Sequence, residues 1–546
     1  MVLPLHLSES WMLTLIAVAI CAASTFLLAV LRFLRRDPHV RGIPGPVYEA
    51  SWLYGNLPEL LLSQPYEQFV LKWQRQYGST YRIKGCFSED LLFTSDPATI
   101  RYILNDPILF DFPPSRRFLA LMLFGEESIL AQGTGGKGHR HIKNAFSPAF
   151  SPARLQLYVP FMRDISRKAV DKLMEQYLKS ERNNSEEAVV DILDILQHVT
   201  SDIIGELAIG HNFNATETDG GDEIARSHRS VVILGSKRSK SAILGDSLLP
   251  RLPRPILKWI VTLPVQPFKT LLSFRHMTDE WATQLLRENL EDEDDKDAGL
   301  IGFVASANKS KKRERLTFQE ISRQTPTFLV AGQETTATAI GWAIYELAKS
   351  PAWQDQVRKE IIEAQDTTDS SLDKLQYLNA HIKESLRLHP AVPHTERMAF
   401  EDTVLPLSRP VTTDSGRVIT QLPVRKGQTI YFGVASYNRN PSVWGSDADT
   451  FDPLRWLDGR CDSQNLQGSI GPYSNLATFA GGSRTCIGWR LAVLEMQVVL
   501  LELILRFRFK INPEQAREIT SCFALTLLPV KVESGKSSLS LLVQPI

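Results

Sequence analysis

The sequence predicts a mainly α-helical fold with small β-sheets, in a single large domain that follows an N-terminal transmembrane helix. Three observations support this prediction. Residues 11–31 carry no charge. Short β-like segments lie early in the chain, at Thr80–Ile83 and Leu91–Thr94, and long amphipathic helical patterns follow them. Neither repeats nor a second linker divide residues 51–546, so we expect them to form one domain.

The uncharged segment Trp11–Leu31 has 21 residues, and about 20 apolar residues are enough to cross a bilayer. Arg32, Arg35 and Arg36 follow it, and no Lys or Arg precedes it. The positive-inside rule then places the N-terminus in the lumen and the main domain in the cytosol. A cleaved signal peptide is the alternative, but it has a basic start and a shorter apolar centre. We therefore expect residues 1–36 to form a luminal tip and a single-pass anchor.

Three further segments are predicted to connect or surround the domain. Ile43-Pro44-Gly45-Pro46 cannot continue a helix, so residues 37–50 are expected to be a proline-rich hinge. Between Leu248 and Phe274, prolines and basic residues alternate with apolar ones. This pattern suits either a membrane interface or a loop packed on the core, and the anchor favours membrane contact. Residues 237–240 are predicted to be a solvated loop.

Charge and cysteine content narrow the function classes. Lys+Arg and Asp+Glu both total 61, so the formal net charge is zero, which argues against nucleic acid as the main partner. The five cysteines are scattered and form neither a metal clip nor a disulfide framework, which fits a reducing compartment. Cys86, Cys461 and Cys522 are expected to be inert small hydrophobes.

Cys486 differs from the other cysteines in its surroundings. Gly482 and Gly488 flank it, and glycine permits positive φ and close backbone approach. The apolar helical pattern from Trp489 to about Leu505 places Cys486 at a helix N-terminus, where the helix dipole favours a thiolate. A buried thiolate without a cation is costly, so the loop predicts a metal or a reactive centre.

Two neighbours of Cys486 suggest the nature of that centre. Arg484 could bind an anionic group of a cofactor, and Phe479 could shield the sulfur from water. Phe-x-x-Gly-x-Arg-x-Cys-x-Gly resembles the haem-binding signature of the cytochrome P450 family, whose members hold haem through a cysteine thiolate. The resemblance implies the cytochrome P450 fold, and haem b whose iron is ligated axially by Cys486.

A second motif lies within a predicted helix spanning about Gln319–Ser350. Gly332 weakens this helix, and the Thr335 hydroxyl can bond back to the carbonyl of Ala331. The adjacent acid and alcohol, Glu334 and Thr335, can relay protons. The segment resembles the family's oxygen-activation motif, which implies that both residues act in catalysis. Alone, it would be read equally well as an ordinary helix with exposed polar residues.

Further residues match family positions that stabilise the fold or hold the haem. Glu384 and Arg387 share a helix face, and the resemblance implies that Arg455 joins them in a structural lock, although Leu454 stands where the family usually has an acid. The resemblance also implies which residues bind the haem propionates. His139 and Lys143 stand where the family usually has Trp-x-x-x-Arg, and both can still donate hydrogen bonds. Arg397 and Arg484 match two further propionate-binding positions.

The predicted function is that of a haem-thiolate monooxygenase. The resemblance implies the conversion of RH, O2 and NADPH to ROH, water and NADP+, with electrons from a separate NADPH-cytochrome reductase, since the chain has no flavin or nicotinamide fingerprint. We expect a hydrophobic substrate and attachment to the endoplasmic reticulum membrane. The segment Asn438-Arg439-Asn440-Pro441 resembles the corresponding sequence of fungal members of the family, many of which act on terpenoids. Two alternatives are a haem-thiolate isomerase or dehydratase acting on peroxides, and a non-catalytic membrane carrier of haem or lipid.

Overall fold

The computed structural model describes residues 37–546 except for short gaps at 135–136, 182–186, 219, 237, 264, 292–298, 311–314, 365–368, 462–468, 514–518 and 533–534. The predicted anchor, residues 1–36, lies outside the described residues. Within the described ranges, no helix combines the length and apolar character needed to cross a membrane.

Helices dominate the described chain, as predicted. Those of the first half are α1 (Pro38–Arg41), α2 (Leu57–Leu61), α3 (Glu67–Tyr77), α4 (Pro97–Asn105), α5 (Pro114–Phe124), α6 (Lys137–Phe146), α7 (Pro152–Gln156), α8 (Val159–Glu181), α9 (Ile192–Ile209), α10 (Ala215–Thr218), α11 (Glu223–Ser236), α12 (Lys240–Leu248) and α13 (Arg254–Val261). Those of the second half are α14 (Gln266–Glu291), α15 (Gly299–Ser310), α16 (Phe318–Ser322), α17 (Thr325–Lys349), α18 (Pro351–Glu363), α19 (Gln376–Leu388), α20 (Val434–Asn438), α21 (Pro441–Trp444) and α22 (Trp489–Arg506).

The strands form small sheets at the edges of the helical body. They are β1 (Thr80–Lys84), β2 (Asp90–Thr94), β3 (Phe110–Asp111), β4 (Ala188–Asp191), β5 (His394–Ala399), β6 (Thr403–Thr412), β7 (Val418–Val424), β8 (Thr429–Gly433), β9 (Phe507–Ile511), β10 (Ile519–Phe523), β11 (Leu527–Lys531) and β12 (Ser540–Pro545). The largest sheet has the order β1-β2-β8-β5-β3. The two segments that alternation predicted are its β1 and β2, paired antiparallel with Thr80 opposite Thr94.

Helix α17 runs through the centre of the fold and is buried along most of its length. A helix that is apolar on all sides is stable only when neighbours cover every face. Helix α9 packs against the face that carries Gly332: a Cβ built there would lie 2.5 Å from the Cδ1 atom of Ile204. Gly332 is therefore required for the close approach of α9 and α17, beyond the helix weakening inferred from the sequence.

The predicted helix Gln319–Ser350 is wrong as a single unit. The chain forms two helices, α16 and α17, with a break at Arg323–Gln324. Pro326 lies in the first turn of α17, where a residue without an N–H is tolerated at the start of a helix but not inside one. At the break, the Gln324 side chain accepts a hydrogen bond from the Ile129 amide at 2.9 Å.

Part of the predicted hinge lies against the domain. Val40 and Ile43 are fully buried, and the Arg82 amide donates to the Pro44 carbonyl at 2.9 Å. A Cβ on Gly45 would lie 1.8 Å from the Arg82 carbonyl oxygen. The glycine between the two prolines therefore allows the chain to lie directly on β1.

Two segments predicted to lie at the surface differ from each other. In α13, Ile256 and Trp259 are exposed, at 42% and 64%, so the predicted membrane contact there remains a prediction. In the stretch predicted to be a solvated loop, Ser239 is exposed, but Arg238 is half-buried and pairs with Asp246 at 2.6 Å. The prediction of a solvated loop is therefore wrong for Arg238, which pairs with a residue of the following helix, α12.

Candidate functional site

The loop before α22 holds Cys486 through backbone contacts that only small residues permit. Gly482 has φ +61°, and a Cβ there would lie 2.0 Å from the Leu104 carbonyl oxygen. Gly488 is the N-cap residue of α22 and, with φ −90°, does not use the positive φ that glycine permits. Ala480, a non-glycine residue of the same loop, has a φ of +54°. The Cys486 amide donates to the carbonyl of Phe479 at 2.9 Å. The loop thus closes on itself around the sulfur.

The surroundings of the Cys486 thiol combine exposure with desolvation. Its side chain is exposed, yet surrounding protein is dense enough that burial raises the pKa of the thiol. The Gly488 amide, which donates to the sulfur, and the charge of Lys143 both lower that pKa but do not outweigh burial. A positive centre facing the sulfur would lower that pKa and stabilise the thiolate.

Buried guanidinium groups surround the ring of Phe112. The Cζ atoms of Arg397, Arg484 and Arg116 lie 4.5, 4.6 and 5.1 Å from the ring centroid. Asp111 pairs with Arg484 at 3.3 Å. We call Asp111, Phe112, Arg116, Arg397 and Arg484 the Phe112 cluster.

The Phe112 cluster has more positive than negative charge. Burial, together with the charges of Arg116 and Arg484, lowers the pKa of Arg397 to about 9. Burial likewise lowers the pKa of Arg484 to about 10, although Asp111 opposes the shift. Arg397 donates only to the Thr395 hydroxyl and the Glu396 carbonyl, at 3.1 and 2.7 Å, and no carboxylate among the described residues pairs with it. Such a surplus of buried cations fits an anionic ligand.

Helix α6 carries His139 and Lys143, which interact with Arg484 and with the cysteine loop. His139 is buried, and burial, with the charges of Arg484 and Lys143, lowers its pKa to about 4. At neutral pH it is therefore a neutral donor rather than a cation. Lys143 donates to the carbonyls of Ser483 and Thr485, both at 2.8 Å, and so also supports the cysteine loop.

Glu334 and Thr335 face a different environment. The Thr335 hydroxyl donates to the Ala331 carbonyl at 2.7 Å, the bond that the sequence predicted. Glu334 is buried, accepts from the Thr526 hydroxyl at 3.3 Å, and has no partner for its Oε2 atom among the described residues. Burial raises the pKa of Glu334 to about 7, and the bond from Thr526 opposes the shift.

A cavity of about 610 Å³ opens beside Glu334 and Thr335. Part of its wall is an apolar cluster that packs under α17 and includes Leu123, Phe124 and Val330. Another part is charged and includes Arg116 and Glu396. The cavity can therefore hold an apolar molecule next to an acid and an alcohol.

The predicted structural residues Glu384, Arg387 and Arg455 meet in full burial, at 0%, 0% and 1% exposure. Glu384 accepts from Arg387 at 2.8 and 2.9 Å and from Arg455 at 3.0 Å. The indole of Trp456 also donates to it, at 3.0 Å. The remaining Arg387 donors bond to the carbonyls of Asn438, Ala448 and Thr450. We call Glu384, Arg387, Arg455 and Trp456 the Glu384 cluster.

Sequence reasoning missed Asp111, Phe112 and Thr526. Asp111 accepts from the amide and hydroxyl of Thr134, both at 2.7 Å, and from Arg484. No motif marks these residues, because each contacts a partner far away in the chain. Phe479, by contrast, is buried beside the cysteine loop, and its ring lies 6.4 Å from that of Trp489.

Comparison with known proteins decides the family. The family model described as cytochrome P450 matches residues 44–533. The chain belongs to the cytochrome P450 family. It is 28% identical to cytochrome P450 monooxygenase 205 of Postia placenta, over 93% of both chains. It is 30% identical to cytochrome P450 monooxygenase 128 of that fungus, over 86% of both, and 27% identical to ganoderic acid synthetase of Ganoderma lucidum, over 91% of this chain and 93% of the relative.

Membership of this family makes the chain a cytochrome P450 monooxygenase by class, and the family uses haem iron, O2 and electrons from a reductase partner. The residues described above fit that cofactor. The Cys486 side chain is exposed and therefore accessible to an iron centre. Within the Phe112 cluster, the cations Arg397 and Arg484 match two propionate carboxylates.

Proposed function

We propose that this chain hydroxylates or otherwise oxidises an apolar small molecule with O2 and electrons from an NADPH-cytochrome reductase. The observation that carries the proposal is the Cys486 thiol, which is exposed, accepts a hydrogen bond from the Gly488 amide and lies near the charge of Lys143. Haem, when bound, supplies the activation of O2 and the transfer of one oxygen atom to the substrate.

The chain's own residues hold and shield the cofactor. Cys486 is the proposed axial ligand, shaped by Gly482 and Gly488 and covered by Phe479. The proposed propionate partners are Arg397, Arg484, His139 and Lys143. Because His139 is neutral, its contribution is a hydrogen bond rather than a charge.

Glu334 and Thr335 are the proposed proton carriers. A pKa of about 7 lets Glu334 both hold and release a proton near neutral pH. Its unpartnered Oε2 atom is available to a water or a hydroxyl. Thr335 lines the same cavity, and its hydroxyl oxygen keeps acceptor capacity while donating to Ala331.

We further propose a place for the protein at the endoplasmic reticulum membrane. Residues 1–36 would anchor it with the domain facing the cytosol, and the exposed Ile256 and Trp259 of α13 would touch the lipid. Carbonate extraction of microsomes should leave the full chain in the pellet and release a chain that lacks residues 1–36. Release of both would reject the anchor.

The pathway is proposed to be fungal secondary metabolism, such as terpenoid biosynthesis. The relative named ganoderic acid synthetase supports a biosynthetic role. Microsomes containing the protein and a reductase should convert members of a panel of terpenoid, fatty-acid and aromatic compounds in an NADPH-dependent reaction read by mass spectrometry. Peroxide rearrangement without NADPH would instead favour an isomerase or dehydratase, and haem reduction without turnover would favour a carrier.

The ligand assignment has its own test. The reduced, CO-treated protein should absorb at about 450 nm, as thiolate-ligated haem does. Cys486→Ser should lose this band, and the control Cys522→Ser, at a half-buried thiol outside the loop, should keep it. A band retained in Cys486→Ser would show that another residue binds the iron.

A further inference from the structure

The charged part of the cavity wall is built from residues on several elements. Strand β5 contributes His394 and Glu396, which alternate with Thr395 and Arg397 along the strand. Successive strand residues point to opposite faces, so Glu396 lines the cavity while Arg397 does not and instead contacts the ring of Phe112. Arg116 comes from α5, and Arg238 from the segment before α12.

Donors are left over at this part of the wall. Arg116 lines the cavity, and no residue that the structure describes accepts a hydrogen bond from its guanidinium or places a carboxylate within 4.0 Å of it. Its contact is the ring of Phe112, at 5.1 Å. Arg238 pairs with Asp246, but its buried Nε has no partner among the described residues. The Arg116 donors are therefore available to an acceptor that enters the cavity.

One acceptor stands close to them. Glu396 lies opposite Tyr431 in the β5–β8 pair, and the Tyr431 hydroxyl donates to it. Of the charges that act on Arg116, that of Glu396 has the largest effect on its pKa, yet the two side chains do not form an ion pair. A guanidinium and a carboxylate that are not directly paired therefore line the same cavity.

A hydroxyl group suits this space better than a carboxylate does. Its oxygen accepts from Arg116 while its hydrogen is donated to Glu396. A ligand carboxylate would accept from Arg116 but would also be repelled by Glu396 and Asp246. An ether oxygen could accept but could not donate.

Glu334 and Thr335, the proposed proton carriers, line the same cavity as Arg116 and Glu396. Burial raises the pKa of Glu334, and the hydrogen bond from Thr526 opposes that shift. The apolar part of the wall, with Leu123, Phe124 and Val330, belongs to the same cavity. A molecule that fills the cavity thus meets a polar anchor at one place and the reacting groups at another.

We propose that the substrate is an amphipathic alcohol, whose hydroxyl is held between Arg116 and Glu396 while its apolar body extends towards Thr335. This inference rests on the proposed function and names the substrate class for that site. Arg116 and Glu396 are specificity-determining residues, because they hold a part of the substrate that does not react.

The test is equilibrium binding of matched probes to the full-length holoenzyme, measured through the change in Soret absorbance. Each probe set carries one oxygen function on a fixed skeleton: dodecanol, its methyl ether and dodecanoic acid, and farnesol, its methyl ether and farnesoic acid. For at least one skeleton, the alcohol should bind about tenfold more tightly than the ether and the acid, because a good buried hydrogen-bond pair is worth about that factor.

Substituted variants test which residues cause the preference for the alcohol. Arg116→Met and Glu396→Gln should each reduce the alcohol preference to about threefold or less without weakening binding of the ether, and Arg116→Lys should restore part of it. Arg251→Gln is the matched control, because Arg251 also lines the cavity but pairs with Glu89 at 3.3 Å. It should keep the preference.

The outcomes separate this inference from the proposed function. Tighter binding of the acids would overturn the alcohol and show anion recognition at Arg116. Equal binding of all probes, or none by protein that keeps its 450 nm band, would overturn polar anchoring altogether. Loss of the 450 nm band from unsubstituted protein would instead overturn the proposed function. An unchanged preference in both Arg116→Met and Glu396→Gln would reject these two residues.

Discussion

The Glu384 cluster and the Phe112 cluster are both buried and both rich in arginine, but they differ in how their charges are satisfied. In the Glu384 cluster, all five Arg387 donors have acceptors, and Glu384 accepts from two arginines and an indole. In the Phe112 cluster, Asp111 faces several guanidinium groups, and Arg397 has no carboxylate partner among the residues that the structure describes.

This difference separates residues that stabilise the fold from residues prepared for a ligand. A buried charge network that is complete within the protein contributes to stability and has no capacity left for a ligand. A buried surplus of one sign carries a desolvation cost that an incoming group of opposite sign offsets. The two clusters should therefore respond in opposite ways to the removal of a charge.

The largest effect is expected in the Glu384 cluster. Glu384→Gln would leave Arg387 and Arg455 buried without their shared anion, which should lower the free energy of unfolding by about 3–5 kcal/mol, measured by urea titration. Glu363→Gln, which removes an exposed partner of Lys359, should change it by less than about 1 kcal/mol. Equal effects of the two substitutions would break the distinction between the complete cluster and an ordinary surface pair.

Glu334 tests whether an incompletely satisfied acid also costs stability. Since its folded pKa is raised from 4.5 to about 7, the folded protein keeps a proton that the unfolded chain has released. The contribution of Glu334 to the free energy of unfolding should therefore fall as the pH rises from about 4.5 to about 7, by about 3 kcal/mol in total. Glu334→Gln should remove this part of the pH dependence and should be more stable than the unsubstituted protein above pH 7. Identical pH profiles would show that Glu334 is not buried as a neutral acid.

Arg397 provides the test in the Phe112 cluster. Arg397→Gln should accelerate haem transfer to apomyoglobin by about tenfold to a hundredfold, since a charge-assisted bond to a propionate is worth about 1.5–3 kcal/mol. Arg75→Gln, which breaks an exposed pair with Asp449, is the control and should leave the rate unchanged. A variant that retained haem normally but unfolded more easily would place Arg397 with the structural residues instead.

The smallest change in stability is expected at Thr335. Its hydroxyl bonds within its own helix at the cavity wall, so Thr335→Ala should alter the free energy of unfolding by less than about 0.5 kcal/mol. The variant should still bind substrate. A larger share of the electrons taken from NADPH should end in hydrogen peroxide rather than in product, because the proton relay is incomplete. Product and peroxide are quantified together against NADPH use. Unchanged coupling would remove Thr335 from the relay.

Several parts of the site could be predicted because neighbours in sequence define them. The loop around Cys486 is marked by its glycines, and the apolar pattern that follows it is the helix Trp489–Arg506. The bond from Thr335 to Ala331 follows from helix geometry, and so does the meeting of Glu384 and Arg387 at a spacing of three residues. These features depend on local backbone geometry, which the sequence determines directly.

Other parts were decided only by the tertiary structure. Asp111 and Arg484 are 373 residues apart, and no periodicity or motif joins them. The break at Arg323–Gln324 lies inside a continuous helical pattern, and Arg238 looked like part of a solvated loop. The chain's sequence thus marked the proposed cysteine ligand and the proposed acid–alcohol pair, while packing decided which cations are left without carboxylate partners among the described residues and which line the cavity. The physical reason is that a charge is satisfied or left in surplus by whatever the fold brings within hydrogen-bond distance, and sequence separation carries no information on that distance.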